Sequence, residues 1–159
     1  MTDVNGNGRA AVVTGASTGI GRACALMLAR RGWRVYTGVR TENAAEELRA
    51  AGGALVVPVR LDVTEETDIA AARDLVAGEL DAGGLVGLVN NAGTTIPCPV
   101  EYLPLDDFRR QLEINLTGHL AVTQAFLPLL RRPGGRIVNI SSPGAKIAAP
   151  FMAPYVAAK

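Results

Sequence analysis

Apolar residues in this chain come in short runs separated by amphipathic stretches, and each change of period marks an element boundary. Ala10 to Thr14 reads as a buried strand, and Ile20 to Arg31 as a helix that ends near Gly32. Arg34 to Val39 is a second strand, followed by an Ala/Glu-rich helix over Glu42 to Ala51. Leu55 to Leu61 is a third strand, although Pro58 removes one donor from it. A helix follows from about Glu65 to Leu80, with Thr64 placed to cap it. Leu85 to Asn90 is a fourth strand. After a loop rich in Pro and Gly, a long helix is expected over roughly Leu105 to Leu130, kinked at Pro128. Asp106 and Asp107 suit its start, where the helix dipole favours acids. Arg136 to Ile140 makes a fifth strand. Tyr155 to Lys159 opens another helix, with Pro154 in the first turn that its ring tolerates. This alternation predicts βαβ units and an α/β fold: a Rossmann-like, doubly wound parallel sheet of about five strands, in one domain over residues 1–159.

Composition narrows the function classes. The chain carries a net charge of +1 with 19% charged residues, so no electrostatic case exists for nucleic acid or an acidic partner. Its 159 residues suffice for a substantial core. Cys24 and Cys98 stand far apart, in neither a C-x-x-C nor a disulfide-dense pattern, and read as reduced structural thiols. Met1 to Arg9 is polar and glycine-rich, unlike a signal peptide, and no stretch approaches a membrane span. A cytoplasmic protein with no membrane partner and no metal site is the expectation.

The candidate chemistry sits at strand ends. Thr14-Gly15-Ala16-Ser17-Thr18-Gly19-Ile20-Gly21 lies between the first strand and the first helix. Free N–H groups and the helix dipole make an anion site there, and glycines let a pyrophosphate approach the backbone. The spacing is G-x-x-x-G-x-G rather than G-x-G-x-x-G. A bare glycine cluster could be only a tight turn, but its place in the first βαβ unit favours nucleotide binding. After the second strand, where an NAD site places an acid, this chain has Val39-Arg40-Thr41. An arginine pairs with a 2′-phosphate, so Arg40 argues for NADP, while NAD stays open beside the nearby Glu42. Asp62-Val63 and Asn90-Asn91-Ala92-Gly93 follow the third and fourth strands, at the sheet edge where ligands bind. Asp62 could equally be a turn residue, and the Asn pair could satisfy neighbouring backbone. Tyr155 and Lys159, four apart on a helix, share one face. A lysine ammonium there favours the phenolate and suits the Tyr to acid/base work on an oxygen.

Together these residues resemble the short-chain dehydrogenase/reductases, from Thr14-Gly-x-x-x-Gly-Ile-Gly21 through Asn90-Asn-Ala-Gly93 to Tyr155-x-x-x-Lys159. The intervals carry the resemblance: Asn115 lies 40 residues before Tyr155 and Ser142 lies 13 before it, as in that family. The resemblance implies Tyr155 as acid/base and Ser142 as the group that steadies the substrate oxygen. It implies Lys159 on the nicotinamide ribose and Asn115 anchoring a relay water. Gly15, Ser17, Thr18, Gly19, Ile20 and Gly21 belong to the phosphate turn it implies, with Arg40 at a 2′-phosphate. Asp62 and Val63 would border the adenine, and Asn91, Ala92 and Gly93 its ribose. The substrate would be a small-molecule ketone, aldehyde or alcohol, and the long helix with the Tyr/Lys helix would serve a homo-oligomer in a full-length form. The Leu103-Pro-Leu-Asp-Asp-Phe108 stretch is similar to the hydroxysteroid and retinol dehydrogenase branch.

Members of that family continue past the lysine with the rest of its helix and two further strands. The expectation here is therefore a short helix resting on packing alone, a terminus that frays, and an apolar exposed edge at the fifth strand. Two alternatives follow: a dinucleotide-binding chain without turnover, and a truncated product that folds poorly. His119 reads as a packing residue and Trp33 as packed or surface-facing. The 13-residue interval picks Ser142 over its neighbour Ser141.

Overall fold

The apolar runs form five strands: β1 (Ala10–Val13), β2 (Arg34–Val39), β3 (Val56–Arg60), β4 (Leu85–Asn90) and β5 (Arg136–Asn139). In the computed structural model, which describes residues 8–80 and 84–159, all pairings are parallel and the strand order is β3-β2-β1-β4-β5. Parallel neighbours need crossovers, and helices supply them. These are α1 (Gly19–Arg30), α2 (Glu42–Gly52), α3 (Glu66–Glu79), α4 (Leu105–Leu112) and α5 (Gly118–Arg131), with α6 (Ala153–Ala158) after β5. Sheet order runs outward from β1 through β2 to β3, then restarts on the other side with β4. Such a reversal opens a crevice at the carboxyl ends of β1 and β4.

Side chains alternate across the sheet with period two. Val12, Tyr36 and Leu88 join Ile69, Val76 and Phe126 in one core layer, against α3 and α5. Val13, Val35 and Val89 join Ala25, Leu26 and Leu48 in the other, against α1 and α2. Trp33 packs at the rim of this second layer. Pro58 is tolerated because β3 is an edge strand, paired only with β2, where Pro58 lies opposite Thr37.

Three expectations are corrected. Thr64 does not cap α3: Glu65 holds the N-cap position, and Thr64 Oγ1 donates instead to Asp62 Oδ1 at 2.8 Å. The long helix is not one regular α-helix: Pro128 lies inside α5, between the buried Phe126 and Leu130. Its interruption falls at Glu113–Thr117, a π-helical turn between α4 and α5 centred on Asn115. Nor does α6 rest on packing alone. Lys159 Nζ donates to Ile140 O at 2.9 Å, Ser141 Oγ donates to Lys159 O at 3.2 Å, and Pro154 and Ala158 are buried. The exposed edge is as expected: all four β5 residues are exposed, Ile137 and Val138 by 39% and 49%.

Candidate active site

The glycine turn and the loop after β4 are stitched to each other. Thr14 Oγ1 accepts from Asn91 N and Ala92 N, both at 2.9 Å, while Asn91 Nδ2 donates to Thr14 O at 3.0 Å and Gly15 O at 2.9 Å. The Asn91 side chain thus supports the turn from behind, and its partner Asn90 donates to Thr123 and Asn139. Both side chains satisfy neighbouring polar groups, the plainer of the two roles open to them. Gly15 has φ +61, and a Cβ there would stand 2.7 Å from Ala92 Cα. Gly19, φ +56, would direct a Cβ into space with no atom within 4 Å. Gly21 is buried, and a Cβ would overlap the Asn91 amide; it packs behind the turn instead of lining the cleft. The first turn of α1 has no side-chain cap and no acidic residue, so its amides are available to an anion.

A cleft of about 680 Å³ crosses the carboxyl ends of the strands. Gly15, Ser17, Thr18, Gly19 and Ile20 line one end, Arg40 and then Asp62 and Val63 the side over β2 and β3, and Asn91, Ala92 and Gly93 the middle. Tyr155 and Lys159 close the other end. Arg40 is exposed at the mouth, 3.8 Å from Asp62 Oδ2, and Asp62 Oδ1 accepts from the N–H and hydroxyl of Thr64. The site therefore offers an exposed guanidinium, free helix amides and glycines without side chains, a donor set that fits a phosphorylated dinucleotide. Sequence reasoning missed Thr94, Thr95, Arg110 and Ile114, which also line the cleft. Arg110 and Ile114 are four apart on the turn preceding Asn115, and that spacing was the available signal.

At the far end the four expected residues come together, though not all in the cleft wall. Lys159 Nζ lies 5.9 Å from the Tyr155 ring centre. Ser142 Oγ accepts from Gly144 N at 3.1 Å, and a Cβ on Gly144 would be 3.2 Å from Tyr155 Cε1 and 3.4 Å from Ser142 Oγ. Serine and tyrosine thus flank one glycine, while Ser141 is the serine that lines the cleft. Asn115 is buried, and its amide is used at both ends: Oδ1 accepts from Thr94 N and Nδ2 donates to Thr94 O, both at 2.8 Å. His119 does more than pack. Its Nε2 lies 2.6 Å from Ala92 O, and a carbonyl only accepts, so Nε2 carries the proton. Burial lowers the His119 pKa, the Ala92 bond opposes that shift, and Lys159 adds to it.

Fold and site define the class: the chain belongs to the short chain dehydrogenase family, whose model matches residues 9–159. It is 43% identical over 130 residues to retinol dehydrogenase 7 of Mus musculus, covering 82% of this chain and 41% of that protein. It is 44% identical over 131 residues to 17-beta-hydroxysteroid dehydrogenase type 6 of Homo sapiens, again covering 82% and 41%. These relatives carry the names of the branch suggested by Leu103–Phe108. Among solved structures, an alcohol dehydrogenase from Thermococcus sibiricus complexed with 5-hydroxy-NADP aligns with TM-score 0.84 at 32% identity, over 94% of this chain and 65% of that one. A short-chain dehydrogenase from Streptomyces avermitilis aligns with TM-score 0.88 at 34% identity, over 95% and 55%. The chain therefore spans about two-fifths of the length of the curated relatives it matches.

Proposed function

We propose that this chain binds a nicotinamide dinucleotide, NADP in preference to NAD, as the cofactor-binding portion of an oxidoreductase that interconverts a carbonyl and an alcohol. The observation that carries this is the single cleft that gathers the glycine turn, Arg40, the loop after β4 and the Tyr155–Lys159 pair. Gly15, Ser17, Thr18, Gly19 and Ile20 would hold the pyrophosphate, Arg40 the 2′-phosphate, Asp62 and Val63 the adenine, and Asn91 to Gly93 its ribose. When bound, the nicotinamide supplies or takes up the hydride. Tyr155 gives a proton to the substrate oxygen in reduction and removes it in oxidation. Ser142 Oγ already accepts from Gly144 N, which leaves its own hydrogen free to donate to that oxygen. Lys159 spends one of its three N–H donors on Ile140 O, leaving two for a ribose and for the tyrosine end of the cleft. Asn115, buried and held to Thr94 by one bond at each end of its amide, would anchor a relay water. The names of the relatives point to an apolar alcohol of retinoid or steroid type as substrate.

The test is a fluorescence titration with NADPH and NADH. NADPH should bind about tenfold or more tightly than NADH, as one charge-assisted pair with phosphate implies. Arg40→Glu should reverse the order, and indifference of both proteins to the 2′-phosphate would sink the NADP assignment. Tyr155→Phe should keep NADPH binding and abolish ketone-dependent NADPH oxidation. Binding without turnover is the second reading, favoured by Ser141 lining the cleft in place of Ser142. Fluorescence enhancement with no ketone-dependent oxidation by the unmodified chain would select it.

A further inference from the structure

Three polar side chains spaced four residues apart reach from the α4–α5 helix to the loop after β4. Gln111 Oε1 accepts from Ile96 N at 2.7 Å, Asn115 brackets Thr94 with its two bonds of 2.8 Å, and His119 Nε2 meets Ala92 O at 2.6 Å. The helix advances by four residues while the loop retreats by two, so the rungs stay in step. On a regular α-helix of about 3.6 residues per turn, each step of four would rotate the stripe by roughly 40°. The π-helical turn at Glu113–Thr117 takes up one extra residue and keeps all three on one side.

Gln111 shows what the stripe is for. It is fully buried, yet its Nε2 has no partner among the described residues. A leucine would fill the same space without an orphaned amide but would leave the Ile96 N–H without its acceptor, so what the glutamine supplies is the bond its oxygen makes to Ile96. The loop it holds is tightly placed: a Cβ on Gly93 would lie 3.3 Å from Asn115 Oδ1 and 3.5 Å from Lys159 Nζ. Any shift of this backbone therefore moves it against the lysine or away from it.

We propose that Gln111, Asn115 and His119 form one positioning device that fixes the backbone of residues 92–96 against Lys159 and so sets the middle wall of the cleft. Its consequence for binding rests on the dinucleotide reading above; its effect on the loop does not. His119 is the titratable rung. The groove behind it is lined by Asn115, Thr123, Asn139, Ser141 and Lys159, of which Lys159 alone is charged. An imidazolium would face that ammonium in a largely buried setting, but it would keep its Nε2–H on Ala92 O, so the rung does not depend on the neutral ring.

Amide hydrogen exchange tests the device directly. Gln111→Leu should speed exchange at the Ile96 amide roughly tenfold relative to the amides of the sheet, whatever the change in melting temperature, as the loss of one buried bond implies. His119→Leu should speed exchange at Thr94, although Thr94's own acceptor, Asn115, is untouched. His119→Gln, which offers an amide donor at similar reach, should restore it. Unchanged exchange at Thr94 and Ile96 in both leucine variants would overturn the proposal, as would a uniform rise across the sheet in step with a lower melting temperature. NADPH titration separates the two readings. If the loop responds as expected and the unmodified chain does not bind NADPH, the dinucleotide reading fails and the device stands. If the unmodified chain binds, both leucine variants should bind about tenfold more weakly. Equal affinity would then refute the role of the device in the cleft.

Discussion

Gly15 and Gly19 have nearly the same backbone conformation, φ +61 and +56, but opposite surroundings, and alanine at each should fail in a different way. A non-glycine residue in the left-handed region costs about 1–2 kcal/mol at either site. At Gly15 the new Cβ also meets Ala92 Cα at 2.7 Å, a backbone atom pinned by the bonds of Asn91 and Ala92 to Thr14. Overpacking of this kind adds about 1–3 kcal/mol. Gly15→Ala should therefore lose about 2–5 kcal/mol, which in a chain of this size is a fall in melting temperature of roughly 5–15 °C. Gly19→Ala meets no atom within 4 Å and should lose only the conformational part, a fall of roughly 2–6 °C. Its methyl, however, enters the cleft beside the first amides of α1, where the pyrophosphate is proposed to sit. NADPH affinity should drop about tenfold or more for Gly19→Ala. Thermal melts and fluorescence titrations on the pair make the comparison. Equal melting shifts would show that the Ala92 contact yields at little cost, and full NADPH affinity in Gly19→Ala would remove the phosphate from this turn.

Thr14→Val keeps the shape of a fully buried side chain but removes the acceptor of Asn91 N and Ala92 N. It should cost about 1–3 kcal/mol in urea unfolding, and a neutral result would mean that those amides find another partner. His119, with its pKa lowered in the folded chain, gives stability that is complete above the unfolded histidine value of about 6.5 and declines as acid protonates the unfolded state first. Urea midpoints should thus fall between pH 7.5 and pH 5, by a smaller margin in His119→Gln; a midpoint that rises with acid would contradict the sign. Val138→Lys, on the exposed β5 edge, should reduce self-association in sedimentation while changing stability by less than about 1 kcal/mol.

The fold was legible because its signals are local. Apolar runs at Arg34–Val39 and Leu85–Asn90 gave strand bounds that the structure matches residue for residue. Pro154 and the Tyr155–Lys159 spacing located α6. What misled was a residue type taken for its usual effect. Thr64 is a good cap, but the Asp62 carboxylate two residues earlier takes its hydroxyl first.

The site was legible in part, and the division follows from how each residue acts. In the proposed function Tyr155, Lys159 and Arg40 act through their own charged or acidic groups, so residue type and position suffice to name them. Gln111, His119 and Asn91 act on main-chain N–H and C=O groups. A backbone partner leaves no mark in its own sequence position, because every residue carries one. The π-helical turn hides the stripe further, since steps of four residues fall out of phase on a helix read as regular. Yet both kinds of residue meet at one place. Asn115 Oδ1 and Lys159 Nζ both lie on the side of Gly93 where a Cβ would project, so the lysine that the sequence identifies faces a loop held in part by residues that it does not. The Tyr155–Lys159 pair is fixed relative to itself by helix spacing. Its position relative to the cleft is fixed by the bonds of Lys159 with Ile140 and Ser141, and the helix 111–119 holds the loop that the lysine faces.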